Sequence, residues 1–159
     1  DLDLTYLLVG DGTERTRLQN LVISENIKNV IFMEKISREE YIKLLYGCDF
    51  GIIALSAKLS VPSFPSKSLD YFGASLPVVA ALDGSTDFGD ILENEIKAGF
   101  SAVATDYVRL GEIVRNLLVN EELRVTMGVN GRNYYEEFFD VESAKNSILG
   151  SFKWGRGAL

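Results

Sequence analysis

The sequence predicts an α/β fold in which a parallel sheet is flanked by helices. Short apolar runs rich in Val, Ile and Leu alternate with helical patterns along the chain. Each run is followed by turn residues, and such runs are typical of strands buried on both faces. Because strands that alternate with helices form parallel sheets, we expect a doubly wound sheet.

Each predicted element depends on a local pattern. The five apolar runs place strands at 4–9, 30–33, 50–55, 78–82 and 100–104. Apolar residues at helical spacing place helices at 14–24, 38–46, 67–74, 108–119, 121–138 and 141–152, with a short turn at 87–93. Ser37 followed by Glu40 is a capping-box signature that fixes the start of the second helix.

Size and composition narrow the class of protein. The chain has 159 residues and a formal net charge of −7, so we expect one domain over 1–159 and no nucleic-acid partner. It contains no histidine, which excludes catalytic triads and the usual zinc ligand sets, and we expect no metal and no cofactor. Cys48 is the only cysteine and is predicted to be a buried thiol in a reducing compartment. No run is long enough to span a membrane and no signal peptide is visible, so we expect a soluble, cytoplasmic protein.

The most informative segment lies between residues 61 and 80. Pro65, Ser66 and Lys67 lead from a loop into a helix, and Asp70 follows one turn later. A hydroxyl, an ammonium and a carboxylate therefore converge near a helix N-terminus, which favours phosphate binding. The alternative is that Ser66 and Asp70 only cap and charge the helix.

Two other loops are candidates because they follow strands of a parallel sheet, where ligands bind. Gly10 and Gly12 follow the first strand, and Lys35 and Ile36 follow the second, where the main chain can contact the edge of a base. The alternatives are an ordinary turn and an ordinary surface loop.

These residues together resemble the C-terminal, nucleotide-sugar-binding domain of the GT-B glycosyltransferases, specifically the retaining family four. The segment from Tyr6 to Gly12 is similar to that family's strand and glycine turn, and the segment from Val30 to Ile36 to its base-contacting strand and loop. Pro65-Ser66-Lys67 with Asp70-Tyr71 resembles a Pro-Ser-Lys variant of the donor motif, and the stretch 121–139 resembles the closing helices. The resemblance implies a Rossmann-like sheet that lacks its first strand and helix, because no strand precedes Leu4.

The resemblance also implies a function. It predicts a hexosyltransferase-type glycosyltransferase donor domain that binds a nucleotide-diphosphate sugar, most simply a UDP-sugar, in bacterial surface polysaccharide biosynthesis. In the family pattern, two glutamates with seven residues between them contact the donor sugar and the ribose of the nucleotide. Here they fall on Pro62 and Asp70, so the usual sugar contact is absent or comes from main chain. The N-terminal acceptor domain of the same protein is the implied partner, and the fragment alone is expected to be inactive.

Three alternatives stay open at this stage. A nucleotide-sugar epimerase domain shares the fold, although the absence of histidine counts against it. A non-catalytic nucleotide-binding or scaffold domain is favoured by Pro62. The apolar stripe and basic tail after Val141 favour either self-association of the fragment or a peripheral contact at the inner face of a membrane. No catalytic residue is assigned.

Overall fold

Five strands form, and each is parallel to its neighbours, as the apolar runs predict. The computed structural model describes residues 3–56, 64–139 and 145. The strands are β1 Tyr6–Val9, β2 Val30–Met33, β3 Gly51–Ala54, β4 Val78–Leu82 and β5 Gly99–Val103. Among the described residues they make two sheets, a two-stranded sheet of order β1-β2 and a three-stranded sheet of order β3-β4-β5. The prediction of a parallel α/β fold is confirmed.

The helices also lie where the sequence places them. They are α1 Arg15–Ser24, α2 Arg38–Leu45, α3 Lys67–Gly73, α4 Phe88–Asp90, α5 Tyr107–Val119 and α6 Glu121–Phe138. The turn predicted at 87–93 becomes α4 followed by a π-helical segment, Ile91–Ile96. The helix predicted at 141–152 lies outside the described residues, apart from Lys145. None of the helices in the described ranges is long and apolar enough to cross a membrane.

The chain divides into two compact units, Asp1–Tyr46 and Gly47–Leu159. The first contains β1, β2, α1 and α2, and the second contains the remaining elements. A single domain over 1–159 therefore stays a prediction.

The core of the Gly47–Leu159 unit surrounds β4. This strand pairs with β3 on one side and β5 on the other, so both of its edges are satisfied. Its buried neighbours come from β3, α3, α4 and the π-helical segment. The buried core residues are Ile53, Phe72, Val78, Ala80, Leu82, Phe88, Leu92, Ile96 and Ala98.

The prediction that every strand is buried on both faces is wrong for β1, β2 and β3. Leu7, Leu8 and Ile31 are 37%, 43% and 48% exposed, and Ile52 is 37% exposed. Helix α1 contributes no buried residue, and its apolar side chains Leu18 and Val22 are only half-buried. The apolar runs therefore predicted the positions of these strands correctly but not the burial of their side chains.

The expectation for Cys48 also changes. Cys48 is half-buried, and burial, reinforced by the charge of Asp49, raises the pKa of its thiol. Near the end of α6, Tyr134 and Tyr135 pack against the core, whereas Phe138 and Phe139 are 55% and 39% exposed. These last two rings lie at the C-terminal end of α6, and the ring of Phe139 stacks on that of Phe64 with ring centroids 6.0 Å apart.

Candidate functional site

The first group of candidate residues lies at the carboxyl edge of the β1-β2 sheet. Val9 pairs with Met33, so the two strands end level and the loops after them leave from the same edge. Gly10 has a φ of 126°, a conformation that favours glycine. Its amide donates to the carbonyl of Met33 at 3.2 Å, which joins the glycine turn to the end of β2.

Gly12 is exposed and lies in an open position. Its amide donates to Oδ1 of Asp11 at 2.8 Å, and its carbonyl accepts from the amide of Arg15 at 3.1 Å. A Cβ at Gly12 would meet no described atom within 4 Å. The fold of the described residues therefore leaves space at this position, which a ligand can use.

Lys35 and Ile36 form the short loop between β2 and α2. Lys35 is exposed and Ile36 is half-buried. The predicted capping box is confirmed: Ser37 Oγ accepts from the amide of Glu40 at 3.2 Å, and Glu40 Oε2 accepts from the amide of Ser37 at 2.9 Å. The Ser37 hydroxyl also donates to Glu40 Oε2 at 2.7 Å, and this bond, together with the one from the Ser37 amide, lowers the pKa of the Glu40 carboxyl. The capping box ends the loop immediately after Ile36.

Sequence reasoning missed the residue that connects these two loops. The guanidinium of Arg15 donates through Nη1 to the carbonyls of Gly10 and Met33, the latter at 3.0 Å, and through Nη2 to Oε1 of Glu34 at 2.8 Å. A basic residue at the first position of a helix is unfavourable, because its charge opposes the helix dipole. This unfavourable placement is the one feature of the sequence that could have indicated a role for Arg15 outside its own helix.

The second group lies at the start of α3, in the Gly47–Leu159 unit. Pro65 is buried, and its carbonyl accepts from both the amide and the hydroxyl of Ser68, at 2.9 and 2.6 Å. Ser66 is exposed and has helical backbone angles, and its side chain makes no capping hydrogen bond. Ser66 therefore does not cap the helix, as the alternative interpretation proposed. The hydrogen bonds of the buried Ser68 stabilise this turn instead.

Lys67 and Asp70 both lie in the first turn of α3. Lys67 is exposed and Asp70 is half-buried, and they are three residues apart on the helix. An ammonium and a carboxylate at this spacing are neighbours on one helix surface. This arrangement can offer a cation to a phosphate and a hydrogen-bond acceptor to a hydroxyl.

The turn after β4 lies beside the loop that leads into α3. Phe64, directly before Pro65, packs edge-on against Phe88 with ring centroids 4.9 Å apart. In the same turn Asp83 is 4% exposed and accepts from the amide of Ser85 at 2.8 Å and from its hydroxyl. These hydrogen bonds lower the pKa of Asp83, while its second oxygen, Oδ2, is buried without a hydrogen-bond partner among the described residues. Thr86 acts as a local turn former, accepting from the amide of Phe88 at 3.2 Å.

The structure thus places the predicted residues in two groups, one in each unit. The Asp1–Tyr46 unit holds Gly10, Gly12, Lys35 and Ile36, and the Gly47–Leu159 unit holds Pro65, Ser66, Lys67 and Asp70. Pro62, the departure from the family pattern, lies outside the described residues.

The comparisons with known proteins agree on a family. The model of the glycosyl transferases group 1 matches residues 1–134. An uncharacterised glycosyltransferase of Methanocaldococcus jannaschii is 26% identical over 138 residues, covering 87% of this chain and 37% of that protein.

Solved structures share the fold. Sucrose-phosphate synthase from Thermosynechococcus elongatus is similar with a TM-score of 0.68 and 24% identity, over 91% of this chain and 37% of that one. HepE of Anabaena, solved in complex with UDP-glucose, has a TM-score of 0.72 and 21% identity, over 92% of this chain and 40% of that one. The chain thus spans less than half the length of these proteins. The parallel sheets with flanking helices are those of a GT-B, Rossmann-like domain, and the chain belongs to the group 1 glycosyl transferases.

Proposed function

We propose that this chain is the donor-binding part of a glycosyltransferase and that it binds a nucleotide-diphosphate sugar, with a UDP-sugar as the first choice. One observation carries the proposal: the family match runs over residues 1–134 and so includes both groups of candidate residues. The structures of HepE with UDP-glucose and with UDP support the choice of nucleotide.

Each group has a different task in this proposal. Main chain at Lys35 and Ile36 contacts the base, and the open space at Gly12 admits part of the nucleotide. Ser66 and Lys67 hold the diphosphate, and Pro65 and Ser68 fix the turn that presents them. Asp70 accepts hydrogen bonds from the ribose hydroxyls, a binding role without proton transfer.

The chemistry then depends on electrostatic stabilisation of the leaving group. Negative charge builds on the nucleoside diphosphate as the sugar departs, and donors fixed in advance around that charge lower the barrier by about 3 kcal/mol each. Lys67 and the hydroxyl of Ser66 supply such donors from exposed positions.

We further propose that the sugar is transferred with retention to a glycan or lipid-linked acceptor. In this proposal the acceptor domain belongs to the same protein, and the reaction takes part in surface polysaccharide assembly in the bacterial cytoplasm. Neither a metal nor a cofactor takes part in this scheme.

Calorimetric titration with UDP, GDP and ADP tests the binding part directly. We expect saturable binding of one of the diphosphates and a loss of affinity of about tenfold in Asp70→Asn and Gly12→Ala. Gly12→Ala is informative because the added methyl meets no described atom of the protein, so a loss reports the ligand.

The matched controls are Asp49→Asn and Gly111→Ala. Asp49 is 73% exposed before β3, at the opposite edge of the sheet from Asp70, and Gly111 lies inside α5. Both controls are expected to bind like the wild type. If no nucleotide binds, the scaffold interpretation replaces this proposal. If Asp70→Asn and Asp49→Asn weaken binding equally, the site is not at α3.

A further inference from the structure

The guanidinium of Arg15 connects both loops at the carboxyl edge of the β1-β2 sheet. Its side chain is only 17% exposed, and it donates to the carbonyls of Gly10 and Met33 and to the carboxylate of Glu34. The ring of Phe32 lies 6.0 Å from its central carbon, within the range of a cation–π contact. One side chain thus contacts the end of each strand and the start of the loop after β2.

Only arginine has the shape for this arrangement. Its planar guanidinium presents several donors in fixed directions. One nitrogen serves the two main-chain carbonyls and the other serves Glu34. A lysine ammonium is a compact point charge that does not match all three acceptors from one position.

The position of Arg15 shows that the side chain does not serve α1 itself. Arg15 is the first residue of this helix, whose first turn has no acidic residue and whose N-cap, Glu14, makes no capping bond. A positive charge there opposes the helix dipole. Arg17, two positions further along the same helix turn, is 64% exposed and pairs locally with Glu14.

We infer that Arg15 is a positioning residue, which holds the Gly10–Gly12 turn and the 34–36 loop at the spacing from which the base of the nucleotide is recognised. The inference rests on the proposed function, since it is the base that these loops are proposed to contact. Main-chain groups recognise a base only when their mutual spacing is fixed, because each base presents its donors and acceptors in a different pattern. Besides Arg15, the amide of Gly10 on the carbonyl of Met33 joins the two loops.

The test compares Arg15→Met and Arg15→Lys with Arg17→Met on the full chain. The measured quantities are the affinities for UDP and GDP by calorimetry and the amide hydrogen exchange of residues 10–14 and 34–37 without ligand. For Arg15→Met we expect about tenfold weaker binding of the preferred nucleotide, which is about 1.4 kcal/mol, and a smaller ratio between the two affinities. Exchange in both loops rises, while exchange in β4 is unchanged.

The conservative variant and the control separate positioning from general stability. Arg15→Lys retains one or two of the bonds and recovers part of both the affinity and the base preference. Arg17→Met changes affinity by less than about twofold, since it removes only an exposed ion pair. If Arg15→Met does not fold, the test uses Arg15→Lys alone. This variant should then show the same changes in affinity, in the ratio of the two affinities and in loop exchange, each smaller than expected for Arg15→Met.

The possible failures are distinguishable. A folded Arg15→Met that binds UDP and GDP with wild-type affinities overturns the positioning role and leaves the proposed function standing. Equal weakening of both nucleotides with an unchanged ratio also overturns it, because base recognition is then unaffected. A wild-type chain that binds no nucleotide overturns the proposed function and this inference with it.

Discussion

Two helix glycines allow one substitution to be tested in opposite surroundings. Gly131 lies inside α6 and Gly111 inside α5. A Cβ at Gly131 would lie 2.7 Å from Cδ1 of Phe72, whereas a Cβ at Gly111 would lie 3.5 Å from the flexible end of Arg115. Replacing either glycine by alanine gains about 1 kcal/mol of helix propensity. Only at Gly131 does the new methyl overlap a neighbour.

The size of the difference follows from the packing of Phe72. This ring is fully buried in the core of the Gly47–Leu159 unit, and Tyr134 packs edge-on against it with ring centroids 6.2 Å apart. Ordinary contact begins at 3.4 Å, so ring and helix must separate by about 0.7 Å. Such overpacking of a dense core costs about 2 kcal/mol, which exceeds the propensity gain. We expect Gly131→Ala to destabilise by about 1 kcal/mol and Gly111→Ala to stabilise by about 1 kcal/mol.

Urea unfolding followed by far-UV circular dichroism measures both variants against the wild type. The expected difference of about 2 kcal/mol corresponds to about 4–8 °C in melting temperature for a chain of this size. The Phe72→Leu variant provides a second test. In that background Gly131→Ala should lower the free energy of unfolding by less than it does in the wild type. Equal stability of Gly131→Ala and Gly111→Ala, or no dependence on Phe72, would refute the packing argument.

Three further predictions concern capping, pH and metal. Ser37→Ala removes the capping box with Glu40, and amide exchange in α2 should report a loss of about 1 kcal/mol, whereas Ser24→Ala, at an exposed helix end, should report almost none. The pKa of Asp83 is held low by its bonds from Ser85, so the stability it contributes is complete above the unfolded pKa of about 3.9 and is lost as pH falls through the lower folded value. Thermal melts between about pH 6 and pH 2 should show a smaller acid loss in Asp83→Asn than in the wild type, and parallel curves would contradict this. Nucleotide affinity should be the same with and without EDTA, and a loss that added Mg²⁺ restores would show that a metal takes part.

The sequence predicts the elements well because each has a local cause. The apolar run at Val78–Leu82 becomes the buried central strand, and the alternation of strands and helices gives the parallel pairing. The start of α2 follows from Ser37 and Glu40, whose hydrogen bonds involve neighbours in sequence. Local chemistry of this kind is visible without a structure.

The π-helical segment Ile91–Ile96 shows where local reasoning ends. It follows α4 directly and ends at Lys97, which has a left-handed φ of 58° without being glycine. Glu93 accepts from both the amide and the hydroxyl of Ser101, at 2.7 and 2.6 Å, and the side-chain amide Nδ2 of Asn130 donates to the carbonyl of Lys97. These partners come from β5 and α6, so tertiary contacts hold the segment. A sequence pattern does not contain them.

The candidate residues divide in the same way. The types and order of Ser66, Lys67 and Asp70 suggested a ligand site, and the structure adds that Ser68 fastens the turn. Arg15 was missed because two of its acceptors, Met33 and Glu34, lie on another strand and loop, which no spacing along the helix predicts.

The distribution of buried residues explains why a polar side chain matters so much in the Asp1–Tyr46 unit. Among its described residues only Leu45 is buried, whereas the other unit surrounds β4 with a continuous apolar cluster. Apolar burial is the main force that fixes loops in most domains, and here it is weak. The hydrogen bonds of Arg15 to Gly10, Met33 and Glu34 therefore carry a larger share of the order at the carboxyl edge of β1 and β2 than equivalent bonds would in the β3-β4-β5 unit. For that reason substitutions at Arg15 should alter ligand recognition more than substitutions at exposed arginines that pair only within their own helix.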